Sequence, residues 1–385
     1  MSPIGGNNQK NIPFQIPRGL PDIPKEVNFK LNLKPQQDAI SLTDYINHYS
    51  RYSIAIDGYV DHPVYENFDI PIANYDHHSG CDRLSTRATC GQIWMAIRGG
   101  LFDVFKDSTS ARVEVHSNGN DEDNCAAIVQ LEEPHLVLAD KDQRFEHLID
   151  AFDKLDTTLG TYSLPLDSEL FQSVFWITDP YREFRNSKKY NTREVNECLD
   201  VIDQVKKRIK RYLNKTHRLL QPDTRYEIIG GGKNWVMIND VGKQSRLGAM
   251  SDGHRAILSV RPLPNGNHAF VFARASNYIV HFDLPKFTSI LNLIENNYEY
   301  FSGNINLISS LSSIPSQLKN NQNGLWGGGN LVLGSPRDSG SKIPPEFLEH
   351  IINSMIDSRD LPLEKQLYLV SSYYQNAQRQ KQLQE

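Results

Sequence analysis

A carboxylate followed by two adjacent imidazoles is the stretch on which the chain's chemistry centres. It lies in Asn74-Tyr75-Asp76-His77-His78-Ser79-Gly80, after the apolar Ile70-Pro71-Ile72-Ala73 and before a helix-like run over residues 85–97. That order puts the triplet where a short buried strand gives way to a loop. Open α/β sheets keep their ligand chemistry there, at the carboxyl ends of strands. Adjacent residues leave a strand end in different directions, so one imidazole can ligate a metal while the other faces a substrate. The same residues would also serve as a polar turn with two solvated histidines. Three further acidic clusters, at Asp57, Asp121 and Asp156, weigh against the plain turn.

Each cluster follows an element that could position it. Ser53-Ile54-Ala55-Ile56 is a short β run ending in Asp57-Gly58. Residues 111–116 alternate, Val113 and Val115 against Arg112 and Glu114, and read as a strand entering Asn118-Gly119-Asn120-Asp121-Glu122-Asp123. A helix-like segment follows over 125–131, and 135–139 reads as a further strand. Leu148, Ile149, Phe152 and Leu155 give 145–155 a helical period, closing in Asp156-Thr157-Thr158-Leu159-Gly160. Strand then carboxylate, with helices between, implies a mainly parallel sheet with acidic groups along one edge. Asp121 and Asp123, spaced i, i+2 at a helix mouth, can both face one cleft or can cap the helix dipole.

The length of 385 residues suggests two or three domains and a large core. A net charge of −5 argues against non-specific duplex binding. No run of eighteen apolar residues exists, and the N-terminus lacks a charged-then-apolar leader. Cys81, Cys90, Cys125 and Cys198 form no CxxC pair, which fits a reduced, cytoplasmic protein without a zinc knuckle.

Residues 1–38, rich in Gly, Asn, Gln and Pro, read as an irregular N-terminal arm, and an α/β domain fills 39–190. A linker helix spans 191–220, with Val195, Leu199, Ile202, Val205, Ile209 and Leu213 on one face and Lys206, Lys207, Arg208, Lys210 and Arg211 on the other. Its charged face is either solvated or lines a groove for a polyanion. A smaller α+β domain covers 221–360, and 361–385 is a closing helix and tail. In that second domain Leu325-Trp326-Gly327-Gly328-Gly329-Asn330 precedes Gly334-Ser335-Pro336-Arg337. Consecutive glycines let backbone amides converge on an oxyanion, though such a run also serves as a flexible turn.

These residues resemble the DHH phosphoesterase family with its associated C-terminal domain. Asp76-His77-His78 is the naming triplet, and Asp57 sits where the family places a bridging aspartate. Asp121-Glu122-Asp123 resembles its Asp-x-Asp motif, and Asp156-Thr157 with Gly160 its last acidic motif. Arg274 with Ser276, and Gly327-Gly328-Gly329-Asn330, resemble the associated domain's Arg-Ser and Gly-Gly-Gly-His elements. The likeness covers roughly residues 50–350 and has three departures. The Asp-x-Asp motif follows the triplet instead of preceding it. Ser117 stands where the family has a histidine, with His116 one position earlier. Asn330 replaces the histidine of the glycine loop.

The resemblance implies a Rossmann-like, parallel-sheet metal-binding domain joined by a long helix to a smaller α+β substrate domain. It implies a hydrolase that cleaves a nucleotide or short single-stranded oligonucleotide ester with two Mn²⁺ (or Mg²⁺) ions, and a homodimer is compatible with it. Asp57 would bridge the ions, with Asp76 beside it. Asp121 and His116 would complete one site, and Asp123, His77 and Asp156 the other. His78 would meet the scissile phosphate. Arg274, Arg337, Ser276, Gly327, Gly328, Gly329 and Asn330 would hold the rest of the substrate, with Arg83 and Arg87 as further candidates. A degraded, binding-only relative and an unrelated α/β hydrolase with acidic helix caps are the alternatives.

Overall fold

The computed structural model describes residues 24–362, 365, 366, 369 and 370, apart from 25, 109, 188, 297 and 299–324. The described residues form a mixed α/β structure with two sheets, one of them mostly parallel. Residues 1–23, the Ser-, Asn- and Gln-rich stretch 303–323 and most of the segment 361–385 fall outside the described residues.

The first sheet begins in the segment expected to be irregular. Val27–Leu33 is strand β1, paired in parallel along its whole length with a later strand. Helix α1 (Leu42–His48) follows, with Ser41 Oγ accepting the Asp44 amide at 3.1 Å as an N-cap. Then come β2 (Ser53–Ile56), β3 (Tyr65–Asn67), β4 (Ile72–Tyr75), α2 (Thr89–Arg98), α3 (Leu101–Val104) and β5 (Ala111–Ser117). The spatial order is β1-β5-β2-β4-β3, parallel throughout except for the antiparallel β3–β4 pair. Helices α4 (Glu122–Glu132), α5 (His135–Leu138), α6 (Arg144–Thr157), α7 (Glu169–Asn186), α8 (Lys189–Thr192) and α9 (Val195–Leu213) complete this half. The expected strand at 135–139 is therefore a single helical turn, opened by Pro134 in the helical region.

Period-two alternation gives the sheet two different faces. Ile54, Ile56, Val113 and Val115 face α2, α4, α6, α7 and α9 in the main core. Ala55, Tyr59 and Ile72 face α1 and Tyr45 in a smaller cluster. Cys198, Val201, Ile202, Val205, Ile209 and Tyr212 sink one stripe of α9 into the main core, each aliphatic side chain worth about 1.5–3 kcal/mol. On the opposite stripe Lys206 and Lys210 pair with Glu132 and Glu133, Lys207 with Asp203 and Arg208 with Asp179. Those partners tie the charged face to its own fold and leave little of it for a polyanion.

The second sheet is built from β6 (Tyr226–Gly232), β7 (Trp235–Asp240), β8 (Ala256–Pro262), β9 (His268–Arg274), β10 (Gly327–Gly328) and β11 (Val332–Gly334), in the order β10-β11-β9-β8-β7-β6. Helix α10 (Ser245–Ser251) crosses between the parallel pair β7 and β8, while α11 (Leu284–Asn296) and α12 (Pro345–Asp357) cover the other face. An Asn265-Gly266 turn joins β8 to β9, with Gly266 at φ +86°. Contacts between the halves run through α10. Leu247 packs on the main core beside Gly160, and Ser251 Oγ donates to Leu164 O at 3.1 Å. No helix among the described residues is long and apolar enough to cross a membrane.

His116, expected to turn toward the acidic groups, lies on the other face of β5. Its ring sits 4.6 Å from that of Tyr49 and 5.7 Å from that of Tyr59, with Nε2 3.4 Å from Ser53 Oγ. It shares its face with Glu114, whereas Val113 and Val115 take the helix side. Burial pushes its pKa down to about 4. An unfolded chain protonates this imidazole near 6.5, so stability is complete above that pH and falls as pH drops toward 4. His116→Gln should remove roughly 3 kcal/mol of that fall, seen as a flatter slope of urea-derived stability between pH 7 and pH 4. His350, also lowered to about 4 by burial, leaves a residual slope of the same sign. An unchanged slope in the variant would refute the assignment.

Candidate metal centre

Three adjacent parallel strands end in carboxylates at the same edge of the sheet. Asp57 follows β2, Asp76 follows β4, and after β5 Asp121 caps α4 with Asp123 in its first turn. Asp57 takes a left-handed backbone at φ +52°, an uncommon state for a residue other than glycine, while its amide stays bonded to Tyr75 O at 3.0 Å. Asp156 arrives from the last turn of α6, which closes through Gly160 at φ +69°.

His77 stands in the middle. Its Nε2 is 2.8 Å from Asp156 Oδ2, 3.5 Å from Asp57 Oδ1 and 4.0 Å from Asp123 Oδ2. Neither ring nitrogen has a partner in hydrogen-bond geometry, although the side chain is fully buried. The close approach to Asp156 is thus an ion-pair distance without a hydrogen bond's direction. Among the described residues, two sets of three side chains bring their ligand atoms within 4.8 Å of one another inside each set: Asp57, His77 and His78, and His77, Asp123 and Asp156. The residue common to both sets is His77, whereas the sequence expected Asp57 to bridge.

The electrostatics record the crowding. Burial, and then the Asp57, Glu122 and Asp156 charges, push Asp121 up to about 8. Burial with the Asp57, Asp156 and Asp121 charges pushes Asp123 well above the usual carboxylate range. Burial pulls His77 down, but Asp156 and Asp57 outweigh it and raise the imidazole to about 10. Burial would raise Asp156 too, yet His77 and Arg83 hold it below its ordinary value. Negative charge is packed here beyond what the neighbouring cationic side chains neutralise.

Several expected ligands are committed elsewhere. Asp76 spends Oδ1 on the His78 amide and ring Nδ1, at 3.1 and 2.8 Å, and Oδ2 on the Ser79 amide. It orients His78 and belongs to neither ligand set. Asp121 Oδ1 caps α4 by accepting the Asn124 amide at 3.0 Å. His78, expected to face a phosphate, also reaches 3.4 Å from Asp57 Oδ1, with its side chain 41% exposed.

The expected substrate contacts change more. Arg83 Nη2 reaches both oxygens of Asp156 at 3.1 and 3.0 Å, and Arg87 binds Asp150 and Asp153 on α6. Arg274 is buried and spends its guanidinium on Asn330 O, Phe282 O, Ile279 O and Asn277 Oδ1. It is a structural clamp, because these carbonyls consume the donors a substrate would need. Ser276 Oγ accepts the Tyr278 amide in a turn. Gly327 and Gly328 pair with Gly334 and Leu333 in a hairpin, and the Gly329 amide donates to Val332 O at 2.8 Å. A Cβ at Gly328, at φ +155°, would strike the Val332 carbonyl, so this glycine serves the hairpin. Asn330, between β10 and β11, and Arg337, after β11, are exposed.

Sequence reasoning missed three residues. Thr89 and Cys90 open α2 and give their amides to Asp123 at 2.9 and 2.8 Å. Buried Asn124 joins Asp57 to Asp121 through its side-chain amide. The signal for Asn124 was its place three residues after the capping Asp121, next to the acidic run.

Asp123→Ala leaves the two α2 amides buried without acceptors and should lower the unfolding free energy by roughly 2–4 kcal/mol. Asp123→Asn, which keeps one acceptor, should lose less. Urea titrations of both variants test this, and equal stability of wild type and Asp123→Ala would refute it.

No family model and no curated protein sequence matches the chain, so the centre is read from its own geometry and motifs.

Proposed function

We propose that the chain is a divalent-metal-dependent phosphoesterase whose ions are held by Asp57, His77, Asp123 and Asp156, with His78 beside them. The observation that carries this is His77, a buried imidazole with no hydrogen-bond partner, facing three carboxylates. The carboxylates that raise its proton affinity are equally suited to a cation, and mixed oxygen and imidazole donors suit Mn²⁺ or Mg²⁺. The position at the carboxyl ends of parallel strands and the resemblance to DHH phosphoesterases support the same reading. In it the first sheet and its helices form a Rossmann-like metal-binding domain, and the chain passes through α9 to the second half. The ester class the resemblance favours is a nucleotide or short oligonucleotide.

When bound, the cations supply Lewis-acid stabilisation of charge on phosphoryl oxygens and acidify water. The side chains do the rest. Asp57 presents Oδ1 toward both imidazoles. The α2 amides fix Asp123, while Asp156 has Arg83 on both its oxygens where no cation is bound. Asp76 holds a proton at His78 Nδ1, outweighing the downward pull of burial with help from Asp57. His78 is the most exposed member of the ligand sets, so it meets an incoming ester and protonates the leaving oxygen.

Mn²⁺ titration calorimetry and turnover of the p-nitrophenyl ester of thymidine monophosphate test the proposal together. Asp57→Asn and His77→Ala should lose metal affinity and turnover alike. His78→Ala should lower kcat by about 10²-fold or more with a smaller loss of Mn²⁺ affinity. A wild-type chain that binds no Mn²⁺ would sink the proposal.

The Arg83–Asp156 contact favours a second reading, a phosphate-ester binding protein in which the guanidinium stands in for a cation. In the metal reading Arg83 competes with the ions, so Arg83→Ala should tighten Mn²⁺ binding by roughly tenfold, the worth of one charge-assisted contact. In the second reading Arg83→Ala yields no Mn²⁺ binding and weakens the ester instead.

A further inference from the structure

We propose that Asn124 is the positioning residue of this centre: it decides which oxygen of Asp57 faces the cations and holds Asp121 out of the ligand set. The inference rests on the metal reading above. Asn124 is fully buried near the start of α4, a place where asparagine adds little to helix stability. Its backbone amide already satisfies the cap with Asp121, so capping does not call for its side chain.

That side chain has a full set of partners. Nδ2 donates to Asp57 Oδ2 and, at 3.0 Å, to Asp121 Oδ1. Oδ1 accepts the Ser117 hydroxyl at 2.6 Å, and Ser117 Oγ in turn accepts the Gly119 amide at 3.2 Å. With the Ser117 hydroxyl donating to Oδ1, the amide nitrogen is left to face the two aspartates.

The consequence is a division of labour within one carboxylate. Asp57 Oδ2 is taken by Asn124, while Oδ1 faces His77 at 3.5 Å and His78 at 3.4 Å. Asp57 is thereby set to ligate through one oxygen. Asp121, bonded twice by Asn124 through the same Oδ1, stays on the helix cap. Ser117 acts through this contact although its chain position drew attention only as the place of a missing histidine.

Partners that orient metal ligands typically control affinity by about 10–100-fold. In the full-length chain, Asn124→Ala should raise the Kd for Mn²⁺ within that range and alter the electron paramagnetic resonance line shape of bound Mn²⁺. Asn124→Asp is the sharper variant. Charge counting alone has an added carboxylate tighten cation binding. Positioning requires it to loosen, because an oxygen would replace the donor facing Asp57 and Asp121. Ser117→Ala, which removes only the orienting bond, should cost about fivefold. Asn124→Asp binding Mn²⁺ as tightly as wild type, with native thermal melting, would overturn the inference and leave the metal reading intact. Should the Asn124 variants fail to fold, Ser117→Ala decides, and unchanged affinity and line shape there overturn it. A wild type that takes up no Mn²⁺ removes the metal reading and this assignment with it.

Discussion

The first half of the molecule depends on keeping several carboxylates buried at one sheet edge. An isolated buried carboxylate is strongly unfavourable, so each needs a donor or a counter-charge. The fold supplies a different one in each case. Asp123 takes the two opening amides of α2, and Asp121 the Asn124 amide in the first turn of α4. Both helices thus direct their positive ends at the cluster. Asp76 folds its own turn around its oxygens. Asp156 relies on His77 and Arg83, and Asp57 on Asn124. With all these donors in place, burial and mutual repulsion still hold Asp121 and Asp123 high. In the proposed metal reading, a cation would take up that residue of uncompensated charge.

Much of this was legible because strand ends are local. A short apolar run, a carboxylate and a glycine identify Asp57 without knowledge of the rest of the chain. The parity of β5 was legible too, and it already separates His116 from the helix side that Val113 and Val115 occupy. The expectation placed His116 by analogy with a motif, and the pleat sends it to the tyrosines. β1 was readable by the same rule: Val27, Phe29, Leu31 and Leu33 alternate with Asn28, Lys30 and Asn32. The glycine- and proline-rich composition around it concealed the alternation. The turn at α5 was not readable, since His135-Leu136-Val137-Leu138 is too short and apolar for periodicity to separate strand from helix.

Donor direction is harder to read than element type. An arginine after a strand and three glycines in a row suggest anion binding only if their N–H groups point outward. Arg274 points into its own half, where four acceptors close a loop around it. The glycines lie in a hairpin whose backbone already pairs. Long-range partners decide both cases. Asn330 is 56 residues from Arg274 in sequence, a separation that no local pattern encodes. Arg83 and Arg87 follow the same logic, since their acceptors lie on α6.

The reversed order of the acidic motifs has a simple structural resolution. What a metal centre requires is that strand ends be neighbours in the sheet, whatever their order in the chain. Here β5 pairs with β2 and β2 with β4, all in parallel. The segments after these strands therefore leave one edge side by side, and Asp57 on the middle strand lies between the other two. The later acidic segment reaches Asp57 through Asn124, and the triplet reaches it through His77 and His78. A permutation changes which helices make the crossovers and leaves that adjacency untouched. The acidic cluster is thus specified by sheet order, and Asn124 and Ser117, which bond into it, sit where β5 hands over to α4.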